Sequence, residues 1–169
     1  EPADGATYPH ELSGGACQRV ALAAALSVEP RFIFCDEPVS ALDASARAQV
    51  LNLMHDIQSE RKLTLLLVSH DLTAVEYICD EIAVMYLGGI VEHAETEKLF
   101  ESTRHPYTEA LLASMPERAL DPATYGKEIV LEGEIPSPIN RPSGCTFHSR
   151  CPKNFGPLCA LKEPALISI

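Results

Sequence analysis

The stretch Arg31-Phe-Ile-Phe-Cys-Asp-Glu37 joins a short apolar run to two adjacent carboxylates. A continuous apolar run of this length predicts a buried strand. Two carboxylates at the end of such a strand are costly unless they meet a cation or a reacting group. Since α/β sheets bind ligands at the carboxyl ends of their strands, we expect a site at Asp36 and Glu37. The plainer alternative is that both acids lead into a solvated loop.

Helical and strand-like segments alternate around this stretch. The patterns predict helices over residues 14–27, 45–60 and 71–79, strands over 63–68 and 82–87, and then a tight turn at Gly88-Gly89. This alternation predicts an α/β fold whose parallel sheet is covered on both faces by helices.

The character of the chain changes after about residue 102. His105-Pro-Tyr-Thr108 opens a short predicted helix that ends near Met115, and residues 133–144 hold three prolines and two glycines. That composition is typical of an extended, turn-rich appendage. We therefore expect two parts, residues 1–102 and residues 103–169.

The composition excludes several classes of protein. With 169 residues, 46% of them apolar, the chain can bury a sizeable core. Thirteen Lys plus Arg against 24 Asp plus Glu give a net charge of −11, which argues against a nucleic-acid partner. The apolar runs fall short of the roughly 18 residues that span a bilayer, and we see no signal-peptide pattern. Six cysteines in such a chain favour a reducing compartment over a disulfide framework.

Three further motifs supply polar groups. Leu12-Ser-Gly-Gly15 precedes a predicted helix, where free backbone N–H groups favour an anion, although an ordinary N-cap is the plainer alternative. Ser40-Ala-Leu-Asp43 adds a carboxylate ahead of the next helix. The second strand ends in Ser69-His-Asp71, so His70 is placed to reach the same phosphate-sized site as Glu37. A structural histidine is the alternative there.

These motifs occur in the order and spacing of a known family. They resemble the signature motif, Walker B motif, D-loop and switch histidine of ABC-transporter ATP-binding subunits. Four stretches more narrowly resemble the subunits of oligopeptide and dipeptide importers: Tyr8-Pro-His-Glu-Leu-Ser-Gly-Gly15, Cys35-Asp-Glu-Pro-Val-Ser-Ala-Leu-Asp43, His105-Pro-Tyr-Thr108 and Gly133-Glu-Ile-Pro-Ser-Pro-Ile-Asn140. The resemblance covers nearly the whole chain from Tyr8 onward.

The resemblance implies part of a P-loop ATPase that uses ATP and Mg²⁺ to energise peptide uptake. It assigns Ser13, Gly14 and Gly15 to contact with the γ-phosphate of an ATP held by the opposite subunit. Asp36 would hold Mg²⁺, and Glu37 would act on the hydrolytic water. Asp43 would couple the two sites, and His70 would sense the γ-phosphate. The implied partners are a second ATP-binding subunit in a head-to-tail dimer, integral membrane permeases and an extracytoplasmic peptide-binding protein. The implied location is the cytoplasmic face of the membrane.

The sequence departs from the family pattern at two places. Ala16 stands where a Gln usually follows the two signature glycines. No Gly-x-x-x-x-Gly-Lys-Ser/Thr loop occurs within the 169 residues, since Gly126-Lys127 is followed by Glu128. Without that loop the α- and β-phosphates have no cradle, so we expect the isolated chain to be an inactive fragment of a larger subunit.

The cysteines of the tail suggest a separate chemistry. Cys145, Cys151 and Cys159 can gather three thiolates around one metal, either in a [4Fe–4S] cluster with a fourth ligand or around zinc with His148. Three reduced cysteines in a loop-rich appendage are the plainer reading. Two other functions stay open at this point, namely a soluble ABC ATPase outside transport and a non-catalytic metal-binding or regulatory module.

Overall fold

The computed structural model describes residues 5–115, 129 and 131–166. The chain divides into two compact units, Glu1–Cys79 and Asp80–Ile169. The sequence-based division at residue 102 separates motifs by their expected function and stays a prediction. Within the described residues, every helix is too short or too polar to cross a membrane.

The first unit alternates helices and strands much as the sequence predicts. Its elements are α1 (Gly14–Leu26), β1 (Phe32–Asp36), α2 (Ala44–Arg61), β2 (Thr64–Val68) and α3 (Leu72–Ile78). The helix α1 begins after Ser13, whose side chain caps it, and ends before Pro30, which cannot continue a helix. The helix α2 ends at Lys62, which adopts a left-handed conformation with φ 50°.

The strands β1 and β2 pair in parallel, with Phe32 opposite Thr64 and Asp36 opposite Val68. The side chains of β1 alternate between two environments. Ile33 and Cys35 lie in the core, together with residues of α2 such as Val50, Leu51 and Met54.

Phe32 and Phe34 point to the opposite face and are exposed. The pairing of β1 with β2 confirms the predicted parallel arrangement of these strands. In the described part of the chain, however, helices cover only one face of the ladder.

The second unit contains β3 (Glu81–Tyr86), β4 (Gly89–Glu95), α4 (Thr96–Ser102), α5 (Pro106–Ala113) and α6 (Pro157–Leu161). The strands β3 and β4 pair antiparallel through the two-residue turn Leu87-Gly88, both residues having positive φ. The turn predicted at Gly88-Gly89 is thus one residue late, because Gly89 already pairs with Tyr86. A two-residue turn joins antiparallel strands, so β3 and β4 form a two-stranded sheet of their own.

An aromatic cluster forms the centre of the second unit. Phe147 is fully buried, and its ring lies 5.1 Å from that of Tyr86 and 5.4 Å from that of Tyr107, measured between centroids. The helix α4 was not predicted from the sequence. The described part of residues 133–144 is free of helix and strand, as its proline content predicts.

Candidate functional site

The ends of β1 and β2 bring the predicted site residues Glu37 and His70 together. The backbone N–H of Glu37 donates to the carbonyl of Val68 at 2.9 Å, so the ladder continues one residue beyond β1. Because parallel strands end at the same edge, the two residues that follow the strands become neighbours. Glu37 and His70 are 33 positions apart in the sequence.

Glu37 is held in a specific orientation. Its φ is 48°, a left-handed conformation that is uncommon for a residue with a side chain. Glu37 Oε1 lies 2.8 Å from His70 Nδ1 and accepts a hydrogen bond from the His70 backbone N–H at 3.2 Å. The other oxygen, Oε2, is buried and has no hydrogen-bond partner within the described residues. A carboxylate with one fixed and one free oxygen suits a general base.

Asp36 occupies the last position of β1 and is exposed. Its carboxylate makes no hydrogen bond or ion pair with the described residues. Free carboxylate oxygens at a strand end are ligands that Mg²⁺ prefers, so the chemistry of this residue fits the metal that the sequence predicts.

The start of α1 packs against the start of α2 at the two signature glycines. A Cβ added to Gly14 would lie 3.2 Å from Leu42 Cδ2, and one added to Gly15 would lie 3.1 Å from the Cβ of Ala46. Ser13 Oγ accepts a hydrogen bond from the backbone N–H of Ala16 at 3.2 Å. The glycines therefore permit a close helix contact, a packing role that the motif alone did not reveal.

Asp43 is the N-cap of α2. Its Oδ1 accepts hydrogen bonds from the backbone N–H groups of Ser45 and Ala46, both at 3.0 Å. One oxygen of this carboxylate thus stabilises the helix start, whatever else the residue does. An acidic residue directly before a predicted helix was the sequence signal for this role.

Arg47 and Asp71 form an ion pair that sequence reasoning missed. Arg47 Nη1 lies 2.8 Å from Asp71 Oδ2, while Asp71 Oδ1 caps α3 through the N–H of Ala74 at 3.2 Å. Because Asp71 follows His70, this pair fixes the loop that presents the histidine. Nothing in the spacing of the two residues along the chain predicted the contact.

A second polar cluster lies in the second unit. Glu92 of β4 accepts hydrogen bonds from the Thr103 hydroxyl at 2.9 Å and from the backbone N–H groups of Arg104 at 2.7 Å and His105 at 3.1 Å. Burial alone would raise the pKa of Glu92, but these hydrogen bonds outweigh burial and lower it. Burial lowers the pKa of His105, so its ring is favoured in the neutral form. A cavity of about 590 Å³ borders this cluster.

Comparisons with known proteins agree with the motif order. The family described as "ABC transporter" matches residues 2–40, and the one described as "Oligopeptide/dipeptide transporter, C-terminal region" matches residues 91–159. The dipeptide transport ATP-binding protein DppF of Escherichia coli is 51% identical over 159 residues, which is 94% of this chain and 47% of that protein. The oligopeptide transport ATP-binding protein OppF of Salmonella typhimurium is 50% identical over the same shares of both chains.

Over 94% of its length the chain is similar to ATP-binding proteins of oligopeptide and dipeptide transport. It spans about half the length of the curated relatives it matches.

Solved structures with the same fold include cbiO1 of Clostridium perfringens, part of the ABC transporter complex cbiONQ. Its TM-score is 0.51 at 32% identity, covering 54% of this chain and 36% of that one. An ABC transporter in an inward-facing conformation gives a TM-score of 0.54 at 26% identity, covering 63% and 41%. The predicted α/β fold class of an ABC ATPase is therefore confirmed.

In the described residues the tail cysteines do not form a metal centre. The backbone N–H of Cys145 donates to the Cys159 carbonyl at 2.9 Å, and burial raises the pKa of the Cys151 thiol. His148 Nδ1 lies 2.7 Å from the Cys145 carbonyl oxygen, which leaves Nε2 as the ring nitrogen that could ligate a metal. The predicted [4Fe–4S] or zinc site thus has no support from the structure.

Proposed function

We propose that this chain supplies the signature, magnesium-binding and hydrolytic residues of an ATP-binding subunit that energises peptide uptake. The contact between Glu37 and His70 is the observation that carries the proposal. It holds one carboxylate oxygen at 2.8 Å from the imidazole, while the second oxygen is buried and free of partners in the described part of the chain. That second oxygen is the group that would orient or deprotonate the hydrolytic water.

The other site residues take roles that follow from their positions. Asp36 would hold Mg²⁺, which neutralises charge on the phosphates of bound ATP. His70, with an exposed ring, would report on the γ-phosphate through its hydrogen bond to Glu37.

The N-terminus of α1 at Ser13, Gly14 and Gly15 would meet the γ-phosphate of an ATP held by a second subunit, since helix N-termini favour anions. Ala16 leaves these backbone donors in place. Asp43 would couple the two sites while it also caps α2.

The proposed assembly rests on the resemblance to peptide importers. A second ATP-binding subunit, membrane permeases and an extracytoplasmic peptide-binding protein would complete it at the cytoplasmic face of the membrane. The match of residues 91–159 to the oligopeptide and dipeptide transporter region favours a transport role over a soluble ABC ATPase.

Replacing Glu37 by Gln in a complete ATP-binding subunit that carries this sequence tests the hydrolytic role. We expect ATP turnover to fall by about 100-fold or more, since general bases contribute on that scale, while ATP binding is retained. Glu60→Gln, at an exposed position of α2, is the matched control and should leave turnover unchanged. Undiminished turnover in Glu37→Gln would remove Glu37 from its proposed role.

Titration of the 169-residue chain with ATP tests its dependence on a missing phosphate loop. We expect weak or undetectable binding and no turnover, because the chain has no Gly-x-x-x-x-Gly-Lys-Ser/Thr sequence. Tight ATP binding by this chain alone would contradict the motif assignment.

A further inference from the structure

Arg47 of α2 connects two loops of the candidate site, called here the 40–43 loop and the 69–71 loop. Its Nη1 lies 2.8 Å from Oδ2 of Asp71, the residue that follows His70. Its Nη2 lies 3.4 Å from the carbonyl oxygen of Leu42, in the loop that leads into α2. The guanidinium therefore contacts the 69–71 loop with one nitrogen and the 40–43 loop with the other.

The position of Arg47 itself depends on the 40–43 loop. Its backbone N–H donates to the carbonyl of Asp43 at 2.9 Å, and Asp43 is the residue that caps the helix. The Nε atom of Arg47 is buried, so the guanidinium is enclosed on that side. A movement of the 40–43 loop would hence carry the guanidinium with it.

Asp71 links the guanidinium to His70. The side chain of Asp71 is 17% exposed, and its two oxygens have different partners, since Oδ2 contacts Arg47 while Oδ1 caps α3. Its backbone N–H donates to Ser69 Oγ at 3.0 Å, which closes the loop around the histidine. Because the His70 side chain is 77% exposed, its position beside Glu37 depends mainly on this loop.

We infer that Arg47 is a positioning residue that couples the 40–43 loop to His70. This inference rests on the roles proposed above for Glu37, Asp43 and His70. A shift of the 40–43 loop would move Asp71 through the guanidinium. Because Asp71 is joined to His70, the 2.8 Å contact of that ring with Glu37 would change as well. Hydrolysis would then depend on the conformation of the loop that carries Asp43.

The chemistry of the side chain suits this task. The planar guanidinium donates from several nitrogens in fixed directions, so one arginine can hold two acceptors at once. A lysine ammonium is a compact charge on a flexible stem and fixes no such geometry. Arg47→Lys should therefore keep the attraction to Asp71 but restore only part of the coupling.

The test measures kcat and the KM for ATP in a complete ATP-binding subunit that carries this sequence. Arg47→Met removes the charge and both donors while it keeps an unbranched side chain. We expect kcat to fall about tenfold and the KM to stay within about twofold, because misplaced reacting groups slow the chemical step by up to about 100-fold without weakening uniform binding. Arg61→Met, at an exposed position of the same helix, is the matched control and should change neither value.

The same substitution in a His70→Ala background separates positioning from a general loss of structure. If Arg47 acts through His70, Arg47→Met should cause no further loss of turnover once the imidazole is absent. A general structural defect would lower turnover by the same factor in both backgrounds. Asp71→Asn removes the ionic partner and keeps an oxygen that can cap α3, so it takes the place of Arg47→Met if that variant fails to fold.

A spectroscopic measurement checks the link without relying on turnover. The Cε1–H resonance of His70 is identified in a subunit with isotope-labelled histidine by its absence in His70→Ala. We expect Arg47→Met to move this resonance and Arg61→Met to leave it in place, because only the first variant releases the 69–71 loop.

The outcomes separate this inference from the proposed function. An unmoved His70 resonance in Arg47→Met, full turnover in that variant, or an equal factor of loss in both backgrounds would overturn the inference and leave Glu37 and His70 in their roles. Full turnover in His70→Ala would instead remove the role of His70, and the inference would fall with it.

Discussion

Truncation of Phe147 to Ala is expected to unfold much of the second unit. The side chain is 0% exposed, and its ring contacts Tyr86, Tyr107 and His105 at centroid distances of 5.1, 5.4 and 5.6 Å. Fully buried Phe to Ala changes cost about 3–5 kcal/mol through lost burial and the cavity that remains. The same change at Phe155, 81% exposed, should cost less than about 0.5 kcal/mol.

The assay is urea unfolding followed by the near-ultraviolet circular dichroism of tyrosine. The chain has no Trp and 5 Tyr, and Tyr86 and Tyr107 pack on the substituted ring, so the signal reports on this cluster.

Phe147→Leu keeps most of the apolar volume but loses the aromatic pairs, so it should fall between the other two variants by free energy of unfolding. A loss below about 1 kcal/mol in Phe147→Ala, or an equal loss in Phe155→Ala, would refute the assignment of Phe147 to the core.

Three further predictions concern the backbone, a helix cap and a half-buried carboxylate. Gly144→Ala should destabilise far more than Gly88→Ala in urea unfolding. Both glycines have positive φ, but only at Gly144 would the new Cβ clash with a backbone oxygen, that of Cys159. Similar losses of stability at the two positions would contradict this. Asp43→Ala should cost about 1 kcal/mol by loss of the α2 cap, and Asp43→Asn should restore most of it; no difference between the two would argue against capping. The folded state lowers the pKa of Glu92. The contribution of Glu92 to folded-state stability is therefore fully present above the ordinary Glu pKa, and it is lost as pH falls through the lowered pKa. The stability gap between the unsubstituted protein and Glu92→Gln should therefore narrow in acid, and a widening gap would contradict the hydrogen-bond assignment.

Much of the site follows from the sequence because it lies at strand ends. The apolar run before Asp36 and Glu37 predicts a buried strand, and the apolar run before His70 predicts another. Parallel pairing then places the ends at one edge without any knowledge of side-chain contacts. The 2.8 Å contact between Glu37 and His70 agrees with that expectation.

Contacts between helices were beyond the sequence patterns. Gly14 and Gly15 look like phosphate-binding residues by motif, yet each also removes a Cβ from a tight contact with the start of α2. Arg47 and Asp71 pair across 24 residues, and their spacing has no local signature. Such contacts depend on how whole elements pack, which local propensity does not specify.

The metal site expected at the tail cysteines stays a prediction. The spacing of Cys145, Cys151 and Cys159 shows that they have enough chain between them to meet. It does not show which contacts their thiols and backbone groups make in the folded chain. In the structure the backbone of Cys145 pairs with that of Cys159, and burial raises the pKa of the Cys151 thiol.

The sequence by itself determined the alternation of helices and strands, the strand ends that carry Glu37 and His70, and the family. These depend on apolar periodicity and on motif order, which are properties of neighbouring residues. Only the tertiary structure decided that β3 turns back on β4, that Glu37 leaves one oxygen free, and that Phe32 and Phe34 lie in solvent. The reason is that strand pairing, hydrogen-bond partners and burial are set by residues far apart in the chain.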